Sequence, residues 1–180
     1  MGHFYRYQFA FTAVASVGAD LALWELHQTL NSTSKIINVW DFQLTLANGT
    51  AGAGNLAVRL QREATLIHTA GTDHTARIAK CSSGAPTSGA TVRGAGPLTS
   101  AGATTTGRLA SFGISTNGAG VSQQFRLGYE RTIDGLYMPI CTLTSTPTTT
   151  EQLALVTDAA IPAGVACAIF GSVLWEEAIQ

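Results

Sequence analysis

The residues of this sequence that could bind a metal ion are two histidines and an aspartate in one short stretch. His68 and His74 are separated by the segment TAGTD, so that Asp73 directly precedes the second histidine. Zinc sites normally show closely spaced, repeated pairs of ligands, and this stretch offers no such repeat. We therefore expect no metal site, and we interpret both histidines as surface residues in loops.

Acidic residues are the next candidates, because glycoside hydrolysis requires two carboxyl groups at a fixed separation across a cleft. The pairs to consider are Glu130 with Asp134 and Glu176 with Glu177. Neighbouring strand residues point to opposite faces, so the second pair is a poor one, and the first flanks a predicted hairpin as solvated charges. The sequence also has no nucleophile elbow, phosphate-binding loop or dinucleotide fingerprint. We expect no enzyme activity and no cofactor.

Aromatic side chains could instead stack on sugar rings or fill a partner's pocket. The three tryptophans, Trp24, Trp40 and Trp175, lie in apolar, strand-like segments, which favours packing in the core. Near the N-terminus, aromatic residues alternate with smaller or polar ones. The aromatic members of that stripe are Tyr5, Tyr7, Phe9 and Phe11. Because a terminal segment can reach a neighbouring copy, we predict that these four residues form a subunit interface.

The elements that must position these residues are predicted to be β-strands. Period-2 alternation of apolar residues recurs along the chain, and Asn-Gly, Asp-Gly and Pro-containing turns separate the alternating segments. Segment 20–28 reads as a strand, although its apolar spacing also suits a helical turn. No long amphipathic helix is convincing. The sequence predicts an all-β fold, an antiparallel, jelly-roll-like β-sandwich of eight or more strands.

Two of these strands carry specific predictions about which side chains point inward. In segment 34–46 the alternation places one face inward, interrupted only by Asn38; its members are Ile36, Trp40, Phe42, Leu44 and Leu46. In segment 56–62 it places Leu56, Val58 and Leu60 inward, with Arg59 and Gln61 outward.

The uncharged run 161–175 is shorter than the roughly 20 residues of a membrane-spanning helix and contains proline and glycine. Its alternation predicts a strand buried on most of both faces, in which Gly171 is the only gap on the apolar face. Segment 161–164 suits a turn before this strand.

The length of 180 residues predicts a single domain, 1–180. Segment 82–107 consists almost entirely of Ser, Thr, Gly, Ala and Pro and buries too little apolar surface to fold alone. We predict a long loop there that lies against the domain or reaches over a neighbour. A small pair of strands around Val92 and Leu98 is the alternative.

The composition bears on the partners of the chain. Only 12% of the residues are charged, against about 25% in average soluble proteins, and the net charge is −1. So few charges protect a free monomer poorly against association, so we expect other subunits to cover much of the surface. The net charge gives no reason to expect nucleic acid or a membrane as partner. Three cysteines without metal-like spacing, and no convincing signal peptide, indicate synthesis in a reducing cytoplasm.

Three features together resemble a known group of proteins: the strand SKIINVWDFQLTLA, the Ser/Thr/Gly/Ala-rich middle, and the ending IPAGVACAIFGSVLWEE. The chain is similar in style to small β-sandwich, jelly-roll-like structural proteins of tailed bacteriophage virions, such as capsid decoration proteins. The resemblance covers most of the chain and rests chiefly on the Pro-x-Gly turn before an apolar strand that ends in Trp-Glu-Glu. No functional residue can be transferred from it.

The resemblance implies a non-enzymatic virion protein that decorates or stabilises a bacteriophage capsid through multi-copy contacts. Its partners would be further copies of itself, expected as a trimer, and the major capsid protein or other virion proteins. It would be made in the host cytoplasm and reside in the virion. The alternative is a carbohydrate- or receptor-binding module of a phage tail or fibre, which shares the same fold; a glycan hydrolase is a third hypothesis.

Overall fold

The structure is a computed structural model that describes residues 2–14, 21–28, 35–49, 54–64, 71–98, 104–115, 117, 119–132, 134–145, 150–161 and 166–179. This part of the chain contains one short 3₁₀ helix, Thr75–Arg77, and fourteen strands. The strands are β1 (His3–Val14), β2 (Ala22–Gln28), β3 (Lys35–Asn48), β4 (Asn55–Ala64), β5 (Thr72–Asp73), β6 (Ala79–Lys80), β7 (Ala90–Leu98), β8 (Thr104–Ser115), β9 (Ser122–Gly128), β10 (Glu130–Arg131), β11 (Tyr137–Met138), β12 (Cys141–Ser145), β13 (Glu151–Thr157) and β14 (Ala166–Ile179). No helix in these ranges is long and apolar enough to cross a membrane.

The strands form two six-stranded sheets and a small hairpin. Sheet I has the order β12-β3-β14-β1-β6, with β9 also paired to β3; sheet II has the order β5-β7-β2-β13-β4-β8; and β10 pairs with β11. Successive strands from β1 to β4, and again from β12 to β14, alternate between the two sheets, and their pairings are antiparallel. The predicted all-β, jelly-roll-like sandwich of eight or more strands is confirmed.

The two sheets enclose one large apolar core. Rings from β1, β2, β3 and β14 meet there, and Trp24, Phe42 and Trp175 have no exposed surface. Burial of each large apolar side chain contributes about 1.5–3 kcal/mol before the entropy of ordering is subtracted. The core positions of Trp24 and Trp175 confirm the prediction for these two tryptophans.

Strand β14 is central, since it pairs with β1 on one side and β3 on the other. Its odd-numbered residues from Cys167 to Trp175 face the core. The opposite face is only partly covered, and Phe170 on it is exposed. The prediction of burial on most of both faces is therefore correct for one face and wrong for the other. Of the predicted turn at 161–164, Ile161 is described and buried, and residues 162–164 lie outside the described residues.

A β-bulge in β3 overturns the predicted inward face of that strand. Trp175 pairs with Val39 and Leu174 with Asp41, so Trp40 is the extra residue. Buried positions are odd-numbered before it (Ile37, Val39) and even-numbered after it (Phe42, Leu44, Leu46). Bulges redirect side chains in this way. The prediction was wrong for Ile36 and Trp40, and Trp40 lies on the outer face of sheet I.

Residues Arg59 and Gln61 of β4 were expected to point into solvent, and both are buried. Arg59 donates from Nε to Gln61 Oε1 at 2.5 Å, and Gln61 donates to Glu63 Oε1 at 2.5 Å. Glu63 also accepts from Gln152 of β13 at 2.5 Å, and Arg59 pairs with Asp158 at 2.8 Å. Buried polar groups must be hydrogen-bonded to be tolerated, and these bonds supply partners for Arg59, Gln61 and Glu63 on sheet II.

Segment 82–107 is not the long loop that its composition predicts. Residues 90–98 form β7, which pairs with β2, and residues from 104 onward begin β8, which pairs with β4. Strand pairing supplies the backbone hydrogen bonds, and Val92 enters the core. The alternative of strands near Val92 and Leu98 was the better description of this part of the segment. Residues 82–89 contain no described strand and lie before β7.

Candidate functional site

The four residues predicted to form a subunit interface lie on the inner side of β1. Tyr5, Tyr7 and Phe9 are 1%, 2% and 5% exposed, and Phe11 is partly buried against the same core. Burial raises the pKa of both tyrosines. The prediction is corrected for the first three rings, because a ring packed inside its own chain cannot offer its face to a second copy. For Phe11 it stays a prediction.

The ring of Phe9 occupies a notch above Gly171, the position that interrupts the apolar face of β14 in the sequence. Gly171 is its partner in β14, and a Cβ at position 171 would lie 2.2 Å from Cζ of Phe9 and 2.5 Å from the carbonyl oxygen of Gln43. The Phe9 ring stacks on Trp24 with centroids 5.2 Å apart and contacts Phe42 at 6.1 Å. Only glycine leaves room for this ring.

Although its rings face inward, β1 has an open backbone edge. Strand β6 pairs only with Tyr5 and Arg6, and the amide of Cys81 donates to the carbonyl of Phe4 at 3.0 Å. The main-chain groups of alternate residues point to the same side of a strand. Those of Gln8, Ala10 and Thr12 therefore point to this edge, where no described strand pairs with them.

We call the open backbone edge of residues 7–14 the β1 edge. A groove of about 410 Å³ runs beside the β1 edge. Gln8, Ala10 and Phe11 form one wall, and His74 and Arg77 stand opposite. Burial and the nearby Arg77 lower the pKa of His74, and Arg77 brings a positive charge to the groove. The groove has room for side chains that accompany an added strand.

A second concave surface lies on the outer face of sheet I, with a volume of about 420 Å³. We call it the aromatic cleft; its lining residues are Phe4, Arg6, Trp40, Asp41, Arg126, Tyr129, Tyr137 and Leu174. Phe4, Tyr129 and Tyr137 are 39%, 53% and 58% exposed. Contiguous exposed aromatic surface of this kind marks binding sites on soluble proteins.

The rings of the aromatic cleft form a connected row. Trp40 contacts Phe4 at a centroid distance of 6.5 Å and Tyr129 at 6.4 Å. Tyr129 and Tyr137 are 5.1 Å apart with their planes at 85°, so they form two walls of a corner. The bulge in β3 is the reason that Trp40 faces this row instead of the core.

A fixed ion pair lies at one side of the cleft. Arg126 of β9 donates from Nε to Asp41 Oδ1 at 2.7 Å, and Gln43 donates to Asp41 Oδ2 at 2.8 Å. Asp41 raises the pKa of Arg126, although the guanidinium itself is exposed. Arg6 adds a second positive charge to the lining. With two arginines and one carboxylate, the cleft has a net positive charge.

Tyr137 reaches the cleft from the β10–β11 hairpin. Arg131 pairs with Tyr137, the amide of Thr132 donates to the carbonyl of Leu136 at 2.8 Å, and that of Gly135 donates to the carbonyl of Thr132 at 2.9 Å. Gly135 has a φ of +79°, a value that glycine adopts without strain. The Asp-Gly turn is thus where the sequence predicts it.

The structure describes only some of the residues considered for metal binding and hydrolysis. His68 lies outside the described residues, and no group of three or more metal-ligating side chains occurs in the described ranges. Glu130 and Asp134 are both exposed on the hairpin. Glu177 accepts hydrogen bonds from Ser88 and from the amide of Gly89, at 3.0 Å for the latter, and so anchors the segment before β7.

Sequence reasoning did not find the aromatic cleft. The aromatic residues stand in four separate segments, around positions 4, 40, 129 and 137. The signal that pointed toward it was Asn38, which interrupts the apolar alternation of β3 shortly before the bulge.

Comparison with known proteins gives only distant likenesses. No protein-family model matches the sequence, and no curated protein matches it. Among solved structures, an infectious bursal disease virus structure of the Gx strain is 15% identical, with a TM-score of 0.34 over 100% of this chain and 32% of that one. The full particle of Deformed Wing Virus gives 10% identity and a TM-score of 0.30 over 94% and 73%. The 60-mer BFDV capsid protein gives 11% identity and a TM-score of 0.30 over 100% and 93%. These chains come from viral particles or capsids, and at such TM-scores the likeness does not establish a shared function.

Proposed function

We propose that this protein is a structural, non-enzymatic subunit of a virion, which decorates or stabilises the capsid of a tailed bacteriophage as a homotrimer. The low charge of the chain and its resemblance to phage decoration proteins support the role. The observation that carries the proposal is the open β1 edge, because it offers a specific place where copies can join.

Among the described residues, the β1 edge has little of the usual protection against pairing. Proteins guard exposed edge strands with charged residues, proline, bulges or covering loops. The segment YQFAFTAV from Tyr7 to Val14 contains no charged residue and no proline, and its register with β14 runs without a bulge. A long, flat and uncharged edge is a template for an added strand.

The opposite edge of sheet I supplies a matching strand. Strands β1, β14, β3 and β9 are antiparallel in succession, so β9 runs opposite to β1. A β9 strand from a second copy would therefore continue the sheet in antiparallel pairing at the β1 edge. Contacts between two different edges are heterologous and close into rings when the rotation allows, and three copies would make the proposed trimer. The groove beside the edge would hold side chains of the incoming strand, with Phe11 at the seam.

The experiment is a measurement of solution mass by light scattering over a range of concentrations, for the native chain and Ala10→Pro. The Ala10 amide points to the open edge, so proline there removes a bond to the added strand and none within the chain. Ala10→Val, which keeps the amide, is the matched control. We expect a trimer for the native chain and for the valine variant, and a folded monomer for the proline variant.

The folded state of Ala10→Pro is checked by circular dichroism and by its urea midpoint. A native chain that stays monomeric at all concentrations would refute the self-assembly role. A stable dimer would place β1 against itself and overturn the trimer. Equal masses for the native chain and a folded Ala10→Pro variant would exclude the β1 edge as the seam.

A further inference from the structure

The aromatic cleft has the chemistry of a ligand site. Its side chains lie on the outer face of sheet I, whereas the proposed assembly pairs the backbone edges of β1 and β9, the strand that carries Arg126. Its volume falls within the range of about 300–1,000 Å³ typical of small-molecule sites. Its rings are exposed in the isolated chain, while comparable aromatic residues such as Phe9 and Trp24 are packed away. We propose that the cleft binds a saccharide that carries a carboxylate group.

The rings select a ligand with flat apolar faces and a polar rim. Tyr129 and Tyr137 meet at 85°, so one ring can stack under the C–H face of a pyranose while the other contacts its edge. Both tyrosines combine an apolar ring with a hydroxyl that can hydrogen-bond. The Trp40 ring adds apolar surface between Phe4 and Tyr129, while its indole N–H is buried.

The charges of the cleft determine which charged group on the saccharide is favoured. Asp41 is already paired with Arg126 and Gln43, so it has little capacity left to attract a cation. Arg6 contributes a positive charge that no residue of the lining balances. A quaternary ammonium or amine ligand is disfavoured by two nearby guanidinium groups. A carboxylate is favoured, because arginine binds it with two parallel hydrogen bonds.

The rigidity of the walls suits recognition. Arg126 is held by Asp41, and the residue after the hairpin, Ile140, donates its amide to the carbonyl of Val39 at 2.7 Å. The cleft is therefore tied at both sides to β3, a strand in the middle of sheet I. Preorganised side chains lose less entropy when a ligand binds.

The test measures binding of sialyllactose and of a hyaluronan tetrasaccharide by saturation-transfer NMR and calorimetry, with lactose and chitotetraose as the neutral counterparts. We expect the native chain to prefer the acidic sugar of each pair. Tyr137→Ala should lower that affinity about tenfold or more. Arg6→Gln should abolish the preference for acid while leaving binding of the neutral sugars unchanged.

Met138→Ala is the matched control. Met138 follows Tyr137 in β11 and is 54% exposed, but it lines a different surface depression. Native-like binding by this variant supports the assignment to the cleft. The proposal is overturned if no acidic saccharide binds, if Met138→Ala weakens binding as much as Tyr137→Ala, or if Tyr137→Ala changes the solution mass and leaves sugar binding unchanged. The Ala10→Pro monomer should keep its affinity, so failure of the assembly role and failure of this site are separable.

Discussion

The notch at Gly171 allows a quantitative test of how the core is packed. Gly171→Ala would put a methyl group 2.2 Å from Cζ and 2.7 Å from Cε2 of Phe9, and 2.5 Å from the carbonyl oxygen of Gln43. Ordinary contacts between carbon atoms are about 3.5–4.0 Å. The ring must therefore move by more than an ångström, into space that Trp24 and Phe42 occupy. The backbone of β3 cannot yield easily, because it is paired with β14 on both sides of this position.

The expected cost follows from these contacts. Overpacking a core usually costs about 1–3 kcal/mol, and complete loss of the packing of a phenylalanine costs about 3–5 kcal/mol. Replacing a strand glycine by alanine returns about 0.5–1 kcal/mol of backbone entropy. We expect Gly171→Ala to lower the free energy of unfolding by about 2–4 kcal/mol, a substantial part of the roughly 5–15 kcal/mol of a typical domain.

The assay is urea unfolding followed by tryptophan fluorescence and circular dichroism, with the midpoint and slope compared between variants. Gly107→Ala in β8 is the matched control, since a Cβ there meets no atom within 4 Å, and it should leave the midpoint unchanged or raise it slightly. Phe9→Leu should be much less destabilising in the Gly171→Ala background than in the native chain, as the double-mutant cycle measures. An unchanged midpoint for Gly171→Ala, or strict additivity of the two changes, would refute the packing derived for this notch.

Two further predictions concern titratable groups. Burial raises the pKa of Glu151, but the hydrogen bonds from Arg62 and Thr144 lower it by a larger amount. The pKa therefore lies below its ordinary value of 4.5. The stabilising effect of ionised Glu151 is therefore present above pH 4.5 and is lost as the pH falls through the lowered pKa. Glu151→Gln should flatten the acid-unfolding curve below pH 4.5. Equal slopes of the native and variant curves below pH 4.5 would contradict this assignment. Cys81 is exposed, whereas burial raises the pKa of Cys141 to about 12 and also raises that of Cys167. A thiol reagent at about pH 8 should modify Cys81 rapidly and the other two only on unfolding, with Cys81→Ser removing the rapid phase; rapid reaction of the serine variant would show that the buried thiols are accessible.

The sequence alone determines those features that depend on local pattern. The alternation in β1 places Phe9 on the aromatic face of that strand, and the alternation in β14 places Trp175 on the apolar face of that strand. The Asp-Gly pair specifies the hairpin before Tyr137. These follow from the two-residue period of a strand and from the positive φ that glycine tolerates. The low charged fraction is the sequence feature behind the proposed association, because few charges protect a free chain poorly against it.

Tertiary structure decides what depends on strand neighbours. The aromatic stripe of β1 looks the same in the sequence whether it faces a second copy or the core; only the position of β1 opposite sheet II assigns Tyr7 and Phe9 to the core. Arg59 lies inside because Gln61 and Asp158 are available to it. The cleft brings together the aromatic residues Phe4, Trp40, Tyr129 and Tyr137. They meet because β1, β14, β3 and β9 are neighbours in sheet I and the β10–β11 hairpin follows β9. In addition, one bulge in β3 rotates Trp40 outward. Pairings between distant segments and single-residue register shifts have no local pattern, since their free energy comes from contacts that exist only after the sheets have formed.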